Sequence, residues 1–127
     1  MRVVDAGVIV SLIVGRLDPD LLGDDPPAVP HLLDSEVTNA LRRLLLRGDL
    51  SAQQAGTAMQ GFLALTLTRF AADWLCPRMW ELRHNLTAYD ATYVALAELT
   101  RAEALLTTDA RLAGAAGIRC PVVVLPS

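Results

Sequence analysis

The side chains of this chain best suited to chemistry are carboxylates, and four of them stand where an apolar run ends or a helix begins. Val3-Val4 runs directly into Asp5, and Ala104-Leu105-Leu106 runs into Thr107-Thr108-Asp109. A buried strand that ends on a carboxylate brings a charge to the rim of the core. That costs desolvation free energy unless something compensates it. Glu36 and Asp90 fall in the first turns of two helical patterns, beginning near Asp34 and Thr87. Gathered at one rim, the four acids would repel one another and raise each other's pKa. A divalent Mg²⁺ or Mn²⁺ ion relieves that repulsion, because these hard ions take carboxylate and water oxygens. The chain offers no His or Cys cluster to compete.

Each acid also has a plainer reading. Thr87-Ala88-Tyr89-Asp90 fits a capping box. Asp109 can cap the helix after it, where the macrodipole favours an acid. Asp34 is the natural N-cap of the long helix, with Glu36 as ordinary first-turn chemistry. Taken singly, these acids are more readily caps than ligands. Asp5, which follows an apolar strand and precedes Ala6-Gly7, is poorly explained by capping alone, and four caps aimed at one rim are harder still to explain that way.

The elements that must position them alternate. Residues 2–4 read as a short buried strand, and a helix opens over Val8 to Val14. Asp18-Pro19 reads as an N-cap followed by proline in the first turn. Ala28 to His31 form a second strand. Val37, Ala40, Leu41, Leu44 and Leu45 recur at helical spacing until Gly48 ends the helix. Another helix runs from Ser51 to about Leu65, and Thr66 to Phe70 alternate as a third strand. Residues 73–86 are helical but patchy. A clear helix runs from Thr87 through Leu99, strand four is Ala104 to Leu106, a short helix spans Ala110 to Ala116, and strand five is Val122 to Leu125. Short apolar strands alternating with helices imply a parallel sheet covered on both faces, in one domain over residues 1–127. In open α/β sheets, sites form outside the carboxyl ends of the strands, where strand order reverses. Asp5 and Asp109 both follow strands at that edge.

Composition narrows the chemistry. The 127 residues are 53% apolar but only 5% aromatic, so the core is aliphatic, and the surplus is compatible with a covered interface. All 11 basic residues are arginine. Walker-type phosphate binding, Schiff bases and Lys-assisted aspartyl phosphorylation are thereby excluded. A net charge of -3 gives no sign of binding nucleic acid through bulk electrostatics. It leaves room for local contact through Arg and metal. Arg42-Arg43 and Arg47 read as a solvated helix face, with Arg43, two turns from Glu36, the one able to approach a phosphate. His31 and His84 join no motif, and Trp74 and Trp80 read as packing residues. Cys76 and Cys120 lack metal spacing and read as reduced, buried thiols. No apolar run is long enough to span a membrane, and "VIVSLIV" lacks a signal cleavage site. The expectation is a soluble, cytoplasmic protein.

Together these residues resemble the PIN domain, and within it the VapC-like ribonuclease toxins of bacterial toxin–antitoxin modules. "VVDAGVIV" resembles the first strand and first acid, and "DSEVTNALRR" the helix carrying the family's glutamate. The most specific match is "LTAYDATYVALAELTRAEALLTTDARLA", which resembles the third-acid helix running into the fourth-acid strand. The resemblance implies an α/β/α three-layer sandwich around a parallel sheet of about five short strands. It implies that Asp5, Glu36, Asp90 and Asp109 bind Mg²⁺ or Mn²⁺ and carry catalysis, with Thr107 and Arg43 on the substrate side. It further implies hydrolysis of RNA to 5′-phosphate and 3′-hydroxyl ends, a homodimer, and a cognate antitoxin that occludes the acids. The chain departs from the pattern at Ala6 and Gly7, where the family often has Ser, Thr or Asn to orient the first acid.

Two other classes compete. A catalytically weakened module that only binds RNA or antitoxin would fit the Ala6-Gly7 departure, although all four acids are present. An aspartate-nucleophile phosphatase also places Asp after strand one. It typically needs a second Asp two residues on and a downstream Lys, whereas this chain has Gly7 and no Lys.

Overall fold

The computed structural model describes residues 1–126. Its centre is a five-stranded sheet, parallel throughout. The strands are β1 (Val3–Val4), β2 (Ala28–Pro30), β3 (Thr68–Phe70), β4 (Leu105–Thr107) and β5 (Val122–Val124), in the order β3-β2-β1-β4-β5. Strand order therefore reverses between β1 and β4. The central strands are buried on both faces: Val3, Val4, Ala28, Val29 and Leu105 are wholly inaccessible. That is why they read as continuous apolar runs and not as alternating ones. The edge strands β3 and β5 are largely exposed.

The helices are α1 (Ala6–Ile13), α2 (Leu32–Leu46), α3 (Ala52–Ala64), α4 (Cys76–Glu81), α5 (Ala88–Leu99) and α6 (Ala110–Ala113). α1, α2 and α3 pack on one another as one layer. α5 lies against β1, β2 and β4 with α4 beside it, and α6 sits against β5. The chain is thus the expected three-layer sandwich. Residues 91–97 of α5 are buried without interruption. Three alanines in that stretch let the helix lie close to the sheet, as a helix apolar on every side must.

Local sequence explains most boundaries. Ser51 and Gln54 form a reciprocal capping box at the start of α3. Gly48, at φ +79°, ends the α2 turn in the left-handed region, and the Asp49 N–H returns to the Leu44 carbonyl. Asp18 caps a single 3₁₀ turn, Pro19–Leu22.

Four expectations are corrected. Asp34 is not the cap of α2. The helix begins two residues earlier, and Asp34 instead accepts two hydrogen bonds from Arg69 of β3, from Nε at 2.9 Å and Nη2 at 2.8 Å. α1 begins at Ala6, because Asp5 itself caps it. Cys76 is exposed, and both cysteines are free thiols. Trp80 is 67% exposed, with the Arg83 guanidinium 4.4 Å from its ring centre, so it is no core residue.

The patchy stretch before α5 is anchored by a charge. Arg78 Nε donates to Glu98 Oε1 at 2.6 Å and Nη2 to the Gly117 carbonyl at 2.7 Å, while Glu98 Oε2 accepts from the Arg119 N–H. The two side chains are 10% and 8% exposed. This pair ties α4 and α5 to the segment leading into β5. Among the described residues, no helix is long and apolar enough to cross a membrane.

Candidate active site

The four acids come from four elements near the carboxyl ends of β1 and β4, close enough that Asp5 feels the charges of Asp90 and Asp109, and Glu36 those of Asp5 and Asp90. Asp5 leaves β1 and caps α1, its Oδ1 accepting from the Val8 N–H at 3.0 Å. Its other oxygen, Oδ2, accepts from the Thr107 hydroxyl at the end of β4. Thr107 Oγ1 also accepts from the Asp109 N–H at 3.0 Å. One wholly buried hydroxyl thus connects the first acid to the backbone of the fourth, across the switch point of the sheet. The expectation that Thr107 contacts substrate is corrected: it is buried and engaged on both sides, so it positions the acids. It also supplies, from β4, the hydrogen bond to Asp5 that Ala6 and Gly7 cannot make.

Glu36 sits one turn into α2. The hydroxyl of Tyr93, on α5, donates to its Oε1 at 2.5 Å. Tyr93 escaped the sequence reading because it sits in an apolar helical run, where an aromatic ring passes for packing. The available signal is its place three residues after Asp90, on the same face of α5. Asp90 lies in the first turn of α5, its N–H donating to the Thr87 hydroxyl at 3.2 Å. Only this half of the anticipated capping box is made, and the Asp90 carboxylate, which also feels the Thr87 hydroxyl, lines a cleft with Asp109, Arg111 and Asn85. Asp109 caps α6 and is turned onto Arg111, whose Nε reaches Oδ1 at 3.2 Å and Nη2 reaches Oδ2 at 3.3 Å. Arg43 is exposed on α2, about 10 Å along the helix from Glu36 by its rise per residue.

The electrostatics follow from this placement. Burial is the main cause raising the pKa of Asp5, and the charges of Asp90 and Asp109 add to it, against the hydrogen bonds from Thr107 and Val8. Glu36 is raised by burial and by Asp90 and Asp5, against the Tyr93 hydroxyl. Asp90 is raised by burial and by Asp109. Asp109 alone is lowered, by its hydrogen bonds from Arg111. As they stand, no three carboxylates share one ligating point among the described residues. The donor set nevertheless fits a hard divalent cation: every donor is an oxygen, and Asp5, Glu36 and Asp90 each have a raised pKa that a nearby cation would lower.

Two expected outcomes follow. Tyr93→Phe removes only the hydroxyl that orients Glu36. It should lower Mn²⁺ affinity about tenfold, measured by titration calorimetry, with little change in melting temperature. The raised carboxylates give the second. Each holds its proton more tightly folded than unfolded. Their contribution to stability is therefore complete below the ordinary 3.8–4.5 range and lost as pH rises through the raised values. In EDTA, the protein should melt lower at pH 7 than at pH 5. Added Mn²⁺ should stabilise it more at pH 7. A melting temperature that rises from pH 5 to pH 7 in EDTA would contradict this.

A parallel sheet of order 3-2-1-4-5, with acids at its switch point, is an architecture this chain shares with a known family. The PIN domain family matches residues 2–118, and the chain belongs to that family. Within it, the chain groups with the VapC proteins. It is 42% identical to Ribonuclease VapC9 of Mycobacterium tuberculosis over 99% of both chains, and 40% identical to Ribonuclease VapC1 of the same species over 94% of both. A toxin–antitoxin complex from Klebsiella pneumoniae shares the fold, with a TM-score of 0.71 at 22% identity, covering 98% of this chain and 97% of that one.

Proposed function

We propose that this protein is a Mg²⁺- or Mn²⁺-dependent endoribonuclease, the toxin of a toxin–antitoxin module. The observation that carries the reading is the placement of Asp5, Glu36, Asp90 and Asp109 around the switch point, where burial and neighbouring acids raise the pKa of the first three. The names of the VapC relatives support ribonuclease chemistry over any other use of such a cluster.

Asp5, Glu36, Asp90 and Asp109 would hold the ion. When bound, it supplies a Lewis acid that lowers the pKa of a water and neutralises charge on the scissile phosphate. The chain's own work is to hold the carboxylates and to move a proton. Thr107 and the Val8 N–H fix Asp5, and Tyr93 fixes Glu36. A carboxylate with a raised pKa is the better base for the attacking water, and Glu36, half-buried, and Asp90, exposed, are within reach of water for it. Attack by water breaks the bond to the 3′ oxygen and leaves 5′-phosphate and 3′-hydroxyl ends. Arg43 and the 92%-exposed Arg111 are the cations available to the phosphate.

The partners in this reading are RNA, an antitoxin that covers the acids, and a second copy of the chain. The toxin–antitoxin neighbour supports the antitoxin. Exposed apolar side chains such as Leu46, Leu63 and Trp80 are the kind of surface such partners cover. The hydrogen bond from Thr107 to Asp5 supports an ordered first acid, and with it a catalytic site over a catalytically weakened module. The reading is tested by incubating structured RNA with the purified protein in Mg²⁺, Mn²⁺ or EDTA and mapping the product ends. Metal-dependent cuts with 5′-phosphate ends are expected. Cutting undiminished by EDTA would exclude the metal chemistry.

A further inference from the structure

Gly7 has no backbone reason to be glycine. It is the second residue of α1, and its φ is not positive. What it lacks is room: a Cβ there would lie 2.7 Å from Thr108 Oγ1 and 3.5 Å from Asp5 Oδ1. The Thr108 hydroxyl therefore fills the space that a side chain at position 7 would occupy, on the Oδ1 side of the first acid. None of the hydrogen bonds that tie Asp5 and Asp109 to the strand end uses it; those run through Thr107, the Val8 N–H and Arg111. Thr108 is only partly buried, and it stands between the buried Thr107 and Asp109. A hydroxyl so placed can donate to or accept from water at the acid cluster while Thr107 serves the opposite oxygen of Asp5.

We propose that Thr108 is a positioning residue of the site: its hydroxyl, lodged in the gap left by Gly7, orders water beside Asp5 Oδ1 and thereby strengthens the hold of the cluster on a divalent cation. Thr107 and Thr108 then have different tasks. The first fixes the carboxylate through Oδ2, and the second sets the environment of Oδ1. Gly7 and Thr108 form a matched pair, one wall without a side chain and the other with a hydroxyl reaching across. The proposal rests on the divalent-cation reading given above.

The experiment is titration calorimetry of the full chain with MnCl₂, with melting curves in EDTA as the check on folding. Thr108→Val keeps the shape of the side chain without the hydroxyl and should weaken Mn²⁺ binding about tenfold. Thr108→Ser should bind within about twofold of wild type. Gly7→Ser combined with Thr108→Ala returns a hydroxyl to the gap from the other wall and should recover most of the affinity that Thr108→Ala alone loses. A folded Thr108→Val variant that binds Mn²⁺ as wild type does would overturn the role of Thr108 and leave the metal site standing. Wild-type protein that binds no Mn²⁺ would overturn the metal site, and this role with it.

Discussion

Asp5→Asn should reduce metal-dependent RNA cleavage by at least about 100-fold while leaving the protein folded. A residue that merely supports a metal ligand commonly contributes ten- to a hundredfold, and loss of a ligand should cost no less. Asp5 is the most interconnected of the four acids. It caps α1, receives the Thr107 hydroxyl, and feels the charges of Asp90 and Asp109. Asparagine keeps an oxygen for the Val8 N–H, so the cap survives. It also removes a charge whose burial is unfavourable, so stability in EDTA at pH 7 should change by no more than about 1 kcal/mol. Activity and stability should therefore separate. The measurement is initial cleavage rate in Mn²⁺ beside a thermal melt in EDTA. A variant that is both inactive and unfolded would show that Asp5 is needed for the fold itself.

The largest effect on stability is expected far from the acids. Arg78→Met should destabilise the protein by about 3–5 kcal/mol, because it strands Glu98 in a site that is 8% exposed. It also leaves the Gly117 carbonyl without its donor. The double variant Arg78→Met, Glu98→Leu should recover part of that loss, since no buried charge remains. Recovery should be incomplete, because Gly117 and the Arg119 N–H still lack partners. Urea unfolding of the two variants decides it. A single variant as stable as wild type would mean that the pair adds nothing to the packing of α4 on α5.

What the sequence revealed depended on whether the cause was local. The central strands were legible because β1, β2 and β4 are buried on both faces and so are apolar without interruption. The starts of α3 and α5 were legible because Ser51 and Thr87 cap them within three residues. The start of α2 was misread, since Asp34 answers to Arg69, 35 residues away, and no local pattern carries that pairing. α4 looked patchy because Arg78 takes a buried place where a helical pattern calls for an aliphatic residue. At the site, the four acids stood out by their positions at the ends of apolar runs. Their supports did not. Thr107 was placed on the substrate side by the resemblance, yet it is wholly buried, and Tyr93, itself a core residue, went unread. Both do their work through partners 57 or 102 residues distant in sequence.

The central claim is that these acids act together as a cation site and not as four separate helix caps. Asp90 separates the two readings, because the N-cap bond at α5 is made by its backbone N–H and not by its carboxylate. The direct measurement is Mn²⁺ binding by calorimetry to wild type and Asp90→Asn. The account predicts binding by wild type, loss of at least about tenfold in affinity in the variant, and a melting temperature in EDTA that is not lowered. Equal Mn²⁺ binding by the two proteins, with only the melting temperature altered, would contradict it.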